Sequence, residues 1–309
     1  MPGVRFAAGL GVLLAVLAGA AMAEPDRTGW RLLGQGWLLS NDAIGDGHDR
    51  WRSVGLSYGA VTGPGWAGRL PDRPGEILEF RLMAEAIAPS NLVDPDPAER
   101  RYAGIVSAGM HSHFAPGRAE VRLGADLVAV GPRTGVAGLH EAMHDLFGLS
   151  PIRPGVHRLD NALHPTLSAE IGRSWPLGPG ATVRPFAEVR LGDEDLARIG
   201  ADLMLGAADQ RALWLRDPIT GQRHVGVRGQ AGPGLYATFG ADIAAVRESA
   251  WLPAGGAAVL RDRRARLRAG IGYRARRSDG FAGLTWLSEE FEGQGAPQVV
   301  GSVTLRFRF

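Results

Sequence analysis

The sequence predicts an all-β protein, a transmembrane antiparallel β-barrel of about twelve strands with a short helix in an extracellular loop. Three observations lead there. Segments of about ten residues alternate with period two, the length and dyad repeat of an outer-membrane strand. The face opposite the apolar one is loaded with Arg, Glu and Gly, where a water-facing sandwich strand would look the same only locally. Connections between segments alternate between short and long, as periplasmic turns and outer loops do.

Taken in order, residues 1–23 read as a secretory signal peptide. Arg5 gives the positive start, Ala7 to Ala20 the apolar run, and Ala21-Met22-Ala23 the small-x-small cleavage site before Glu24. Residues 24–309 form one barrel domain, because a closed sheet of this size is a single unit. The strands read as Trp30–Ser40, Arg52–Val61, Ile77–Ile87, Arg101–Phe114, Gly117–Val130, Thr166–Trp175, Thr182–Leu191, Leu196–Leu205, Gly234–Arg247, Arg264–Arg276, Gly280–Ser288 and Val299–Phe309. The last of these shows the pattern plainly: Gly301, Val303, Leu305, Phe307 and Phe309 alternate with Ser302, Thr304, Arg306 and Arg308. Most of the tryptophans fall at strand ends, where amphipathic rings anchor to a membrane interface. If the first strand rises from the periplasm, Ala115-Pro116-Gly117, Leu177-Gly178-Pro179-Gly180 and Arg277-Ser278-Asp279-Gly280 are periplasmic turns. The long loops at 41–51, 89–99 and 131–165 then lie outside. Residues 207–233 break the pattern, being long and nominally periplasmic.

Composition excludes several classes. The chain has no Cys, so neither disulfides nor thiolate-bound metals are available. Its net charge is +2 and its charges are spread along the chain, which leaves no basic stripe for nucleic acid. A narrow pore is disfavoured, since Arg and Glu side chains fill a barrel of this width.

The chemistry-bearing residues gather in the outer loops. Residues 131–165 hold four of the eight histidines. Leu139, Met143, Leu146 and Phe147 recur at helical spacing, which predicts a helix over Val136–Phe147 stopped by Gly148. His140 and His144 share one face of it. His140-Glu141-x-x-His144 matches the H-E-x-x-H of zinc peptidases, with His157 or His164 as a third ligand, but it lies in a barrel loop rather than on a core helix. By strand parity, Asn41-Asp42 and the stretch from Asp46 to Ser57 lie on the same side, and their oxygens suit a hard cation. So does the acidic run Ser288–Gln294.

These pieces resemble the LpxR family of outer-membrane lipid A 3′-O-deacylases. Four match in order: Asn41-Asp42 with Asp49-Arg50-x-x-Ser53-x-Gly55, where the family usually has Thr at the position of Ser53; His144-x-Leu146-x-Gly148; Pro165 to Trp175; and Ser288 to Gln294. The resemblance implies a Ca²⁺-dependent hydrolytic site facing lipid A or lipopolysaccharide of the outer leaflet. It makes His144 the general base. Asp42 becomes a Ca²⁺ ligand, and Asn41 and Ser53 orient water or complete the cation site. Glu141 is a candidate further metal ligand, and His140 and His164 are candidate contacts to the lipid headgroup. The chain departs from the family pattern at His164, where Glu is usual before the proline, and at Ser150, where a carboxylate is usual. Glu141, Asp145 and Asp160 are the residues placed to substitute. The expected partners are the lipid and the outer-membrane assembly machinery, with the protein a monomer. Two alternatives stay open: a catalytically silent lipid-binding barrel, and a zinc hydrolase.

Overall fold

The computed structural model describes residues 29–152 and 157–307; the predicted signal peptide and Phe309 lie outside these. Twelve wall strands form one antiparallel sheet in sequence order: β1 Arg31–Asn41, β2 Trp51–Gly63, β3 Leu78–Ala88, β4 Ala103–Phe114, β5 Glu120–Val130, β6 Ala162–Gly172 continued by Trp175–Gly178, β7 Ala181–Leu191, β8 Glu194–Gly206, β9 Gly234–Ser249, β10 Arg263–Arg274, β11 Ser278–Leu287 and β12 Gln298–Phe307. The sheet closes where β12 pairs β1 through Leu39↔Val303, Ser40↔Ser302 and Asn41↔Gly301. The two pieces of β6 keep one register on β7, Gly172↔Phe186 and Trp175↔Val183, so they are one strand interrupted at Arg173–Ser174.

The period-two pattern sorts the side chains as expected. Leu123, Leu127, Leu167, Val189, Ile199, Leu267 and Leu305 are exposed on the outer face, where lipid replaces water. Most strand bounds fall within three residues of the sequence reading, and the largest difference is at the start of β6. β6 begins at Ala162 rather than at Thr166, so His164 and Pro165 lie within a strand. Proline is tolerated there because pairing to β7 starts only at Leu167; up to that point β6 pairs on one side only.

The lumen is filled with paired charge. Arg216 reaches Glu170 at 2.8 Å and Asp202 at 2.7 Å, and Arg184 reaches Glu170 at 2.7 Å and Glu120 at 2.6 Å. Arg266 lies 3.0 Å and Arg198 3.1 Å from Asp242, which Arg268 also pairs. Removing one partner from such a pair costs about 3–5 kcal/mol, because the other is left as an uncompensated buried charge.

Residues 207–233, the segment that broke the predicted asymmetry, fold back up into this lumen. They form a hairpin of Leu213–Arg216 and Arg223–Val227 and leave the strand count unchanged. Its tip is anchored to the wall: Ser57 Oγ donates to Asp217 at 2.7 Å, and Gln222 Nε2 donates to the Leu284 carbonyl at 3.1 Å. Gly34 makes room for it. A Cβ there would stand 2.4 Å from the Gly226 carbonyl oxygen. Ile219, Met83, Ile105 and Val128 form an apolar core at the tip.

The outer mouth is clamped by the acidic run before β12. Glu290 is buried and ion-paired to Arg52 at 2.8 Å and Arg100 at 2.7 Å, and Phe291 packs with Trp51, Leu252 and Ala258. The guanidinium groups around Glu290 more than offset the effect of its burial and hold its carboxyl well below the usual range. The run therefore acts in closure of the mouth.

Candidate functional site

The helix α1, Val136–Phe147, forms where the spacing predicts it and begins and ends on left-handed glycines, Gly135 (φ 75°) and Gly148 (φ 65°). It lies against the outer face of the wall. Along β3 the outward residues run from Phe80, 47% exposed, to Ala86 and Ala88 at 0%. Along β4 they run from Met110, 48% exposed, up to the buried Gly104. What covers them at the rim is α1, through a cluster of Ala86, Ala88, Tyr102, Val136 and Ile152. Gly104 permits this approach, since a Cβ there would meet Thr134 Oγ1 at 2.9 Å and Val136 Cβ at 3.0 Å. Val136, His140 and His144, four residues apart, are the buried residues of the helix.

Opposite the two imidazoles lies the loop between β1 and β2. Its backbone is folded around Asp42, whose carbonyl accepts from Gly45 N at 2.8 Å and Gly47 N at 3.1 Å, while its own N–H donates to the Ser53 carbonyl at 3.0 Å. The loop ends on Trp51, a non-glycine residue at φ 55°, a conformation that must be held by its surroundings. Here the buried ring holds it: the indole donates to Glu99 at 2.9 Å and the Arg50 guanidinium covers it at 4.1 Å. The next irregularity is a β-bulge. Arg52 pairs Ile87 and Val54 pairs Ala86, so Ser53 is the extra residue, and the bulge aims its hydroxyl at α1.

Asp49 is the centre of the group. It accepts a short hydrogen bond from Ser53 Oγ. Its Oδ2 lies 2.7 Å from His144 Nε2, and its Oδ1 lies 3.6 Å from His140 Nε2. Ser53 Oγ is also 3.4 Å from His140 Nε2. The far nitrogen of each ring is held too. His144 Nδ1 stands 2.6 Å from the Ser150 carbonyl, and since a carbonyl only accepts, Nδ1 carries a proton, while Nε2 is the nitrogen turned to Asp49. His140 Nδ1 is 3.3 Å from the Tyr102 hydroxyl. One ligand atom each from Asp49, His140 and His144 lie within 4.8 Å of one another.

Two carboxylates here behave in opposite ways. Burial would raise Asp49, but the nearby imidazoles of His140 and His144 and the hydrogen bond from Ser53 outweigh it and hold the group below its ordinary value. Asp42, 1% exposed, is pushed up to about 8 by burial and by the charges of Asp49 and Asp46, against the hydrogen bond from Arg50 N at 2.7 Å. No cationic side chain among the described residues pairs with it.

Of the residues singled out in the sequence, Ser53, His140 and His144 come together, with Asp42 in the adjoining loop. Asn41 closes its own turn by accepting from Ala43 N at 2.8 Å. Glu141 is exposed on α1 and does not join the group of converging ligand atoms; Asp49 takes that place. His164 pairs Val128, a lumen residue, so it lies on the opposite face of the wall from α1. Ser150 contributes through its backbone. Asp49 was visible four residues before Ser53, without a reason to rank it above Asp46. Tyr102 carried no signal, being one aromatic at a strand edge.

Comparison with known proteins agrees with this architecture. The family model described as outer membrane protein LpxR matches residues 10–309. The solved structure of LpxR from Salmonella typhimurium superposes with a TM-score of 0.74 at 17% identity, covering 89% of this chain and 100% of that one. Weaker likenesses are the beta domain of the Bordetella autotransporter Brka (TM-score 0.43, 12% identity, 89% and 100% covered) and the NanC porin (0.42, 5%, 89% and 100%). No curated protein sequence matches significantly.

Proposed function

The chain belongs to the LpxR family and sits in the outer membrane of a Gram-negative bacterium; on that premise we propose that it is a lipid A deacylase that hydrolyses an ester-linked acyl chain. The observation that carries the reading is position. His144, His140, Ser53 and Asp49 lie between α1 and the outer face of the barrel, at the rim, where an outer-leaflet lipid presents its esters. A site in the lumen would be closed to such a substrate by the hairpin and the ion pairs.

In this reading His144 is the general base. The Ser150 carbonyl keeps the proton on Nδ1, and the attacking water takes the place of Asp49 Oδ2 at Nε2, which accepts a proton from it as the water oxygen bonds to the ester carbonyl carbon. The imidazolium so formed is stabilised by Asp49. The acyl C–O bond then breaks, and the same proton passes to the departing alkoxide. Ser53 and His140 position the water and the headgroup, and Asn41 shapes the loop that carries Asp42.

A hard cation fits beside them. Asp42 is a buried carboxylate with no cationic side chain to neutralise it, and Asp49 and Ser53 supply further oxygens nearby. Asp42 and Asp49 would hold Ca²⁺, which when bound polarises an ester carbonyl and stabilises the oxyanion. One observation favours a second reading. The convergence of Asp49, His140 and His144, with each ring's other nitrogen anchored, also suits a zinc ion.

The test uses the purified barrel in nonionic detergent with lipid A. The expected product is lipid A lighter by one acyl chain plus the free fatty acid, lost on chelation and restored by Ca²⁺. Rescue by Zn²⁺ alone selects the second reading. Unchanged lipid A mass under every ion replaces both with a lipid-binding barrel.

A further inference from the structure

We infer that the periplasmic end of the barrel holds a second binding site, for a single-chain amphiphile with an oxyanion head. A cavity of about 500 Å³ lies there, between the lumen hairpin, the β2–β3 loop and the β4–β5 turn, a size suited to a small organic ligand.

Its charge pattern is the first argument. Arg216 and Arg223 stand directly opposite each other on the two hairpin strands, hence on one face. Like charges in that position are destabilising. Arg216 is neutralised by Glu170 and Asp202, and the neighbouring Arg184 by Glu120 and Glu170. The acids nearest to Arg223 are thus already engaged. Arg223 itself makes no side-chain hydrogen bond or ion pair among the described residues, and it lines the cavity. An Arg kept against a like charge in an otherwise paired lumen is a cation set out for an anion that comes from elsewhere.

The second argument is the remaining wall. Trp66, Leu70, Met204 and Trp214 also line the cavity. Both indole N–H groups are used elsewhere, by Trp66 on the Arg211 carbonyl at 2.8 Å and by Trp214 on the Asp209 carbonyl at 2.9 Å. The rings therefore offer the cavity no free donor, only apolar surface. A cationic end beside an apolar wall fits an oxyanion carrying a hydrocarbon chain better than a bare anion.

This site is at the other end of the barrel from α1 and does not depend on the deacylase reading. The experiment is calorimetric titration of the full-length barrel in nonionic detergent with decanoate, decyl phosphate and inorganic phosphate, the first two distinguishing a carboxylate from a phosphate head. Saturable one-to-one binding of decanoate or decyl phosphate is expected, with inorganic phosphate weaker by about ten-fold or more. Arg223→Gln should weaken binding by about ten-fold or more. The unliganded variant should resist heat at least as well as wild type, because a like-charge pair has been removed. Met204→Trp, which fills the apolar wall and keeps the Arg, should also weaken binding. Lipid A hydrolysis should be unchanged in both variants. Absence of saturable amphiphile binding overturns the proposal, as do equal binding of inorganic phosphate and binding unaffected in both variants. A less heat-stable Arg223→Gln barrel would make Arg223 a structural residue and overturn it as well.

Discussion

The two faces of one wall use the same acidic residues to opposite ends. Inside, Asp242, Glu170 and Asp202 each face two or three guanidinium groups. Arg does not give up its proton at any relevant pH, so each of these carboxylates is fixed as a permanent ion-pair partner. Outside, under α1, Asp49 faces two imidazoles and a hydroxyl, and Asp42 faces backbone N–H groups. These partners can exchange a proton or make way for a cation. Asp242, Glu170 and Asp202, matched to Arg, hold the barrel shut, whereas Asp49 and Asp42 under α1 have partners that can be exchanged.

The widest separation between the faces should come from breaking a lumen pair. Arg216→Ala takes one guanidinium partner from each of two buried carboxylates, leaving Glu170 to Arg184 and Asp202 to Arg268, and should cost about 3 kcal/mol of barrel stability. Urea unfolding in liposomes would measure this, and the surviving folded fraction should hydrolyse lipid A at the wild-type rate. A variant of full stability would mean that the lumen charges are not what fixes the hairpin.

On the outer face the order reverses. On the proposed mechanism Asp49→Asn removes the stabiliser of the His144 imidazolium and should lower the deacylation rate by about a hundred-fold, while leaving heat-modifiable gel mobility unchanged. Loss of folding without selective loss of rate would place Asp49 with the lumen carboxylates.

A smaller effect is expected from pH. The Asp42 carboxyl is raised to about 8 in the fold from an ordinary 3.8, so the protonated form is favoured, and ionisation weighs against the fold as pH rises through this range. A bound cation reverses that balance. Ca²⁺ affinity should therefore rise by about ten-fold per pH unit up to about 8 and flatten above it, and Asp42→Asn should abolish the slope. Calorimetry at several pH values would show whether the slope belongs to Asp42. Glu141→Gln should change neither rate nor stability beyond about two-fold, since an exposed surface substitution seldom does.

Much of this fold was readable because a barrel strand writes its two environments into alternate residues. All twelve wall strands, the helix Val136–Phe147 and its Gly148 stop follow from period and punctuation alone. The hairpin of 207–233 was not readable. Its residues are buried all round by the lumen, so Leu213–Arg216 and Val225–Val227 have no solvent face to alternate against. The candidate site was half legible. His140 and His144 announce themselves by helical spacing, and Ser53 by a motif. Yet whether the helix packs inside or outside the wall depends on Gly104, Ala86 and Ala88, small residues whose meaning appears only when the strands are paired. Asp49 rather than Glu141 joins the two imidazoles because the bulge at the start of β2 turns Ser53, and with it the end of the loop, toward α1.

The deciding measurement is the lipid A mass profile of cells producing wild type, His140→Ala and His144→Ala, with heat-modifiable mobility confirming that each barrel is folded. If His144 Nε2 is the base, His144→Ala should lower deacylation by about two to four orders of magnitude, with His140→Ala less affected and both barrels intact. A folded His144→Ala protein that removes the acyl chain as fast as wild type would contradict the assignment.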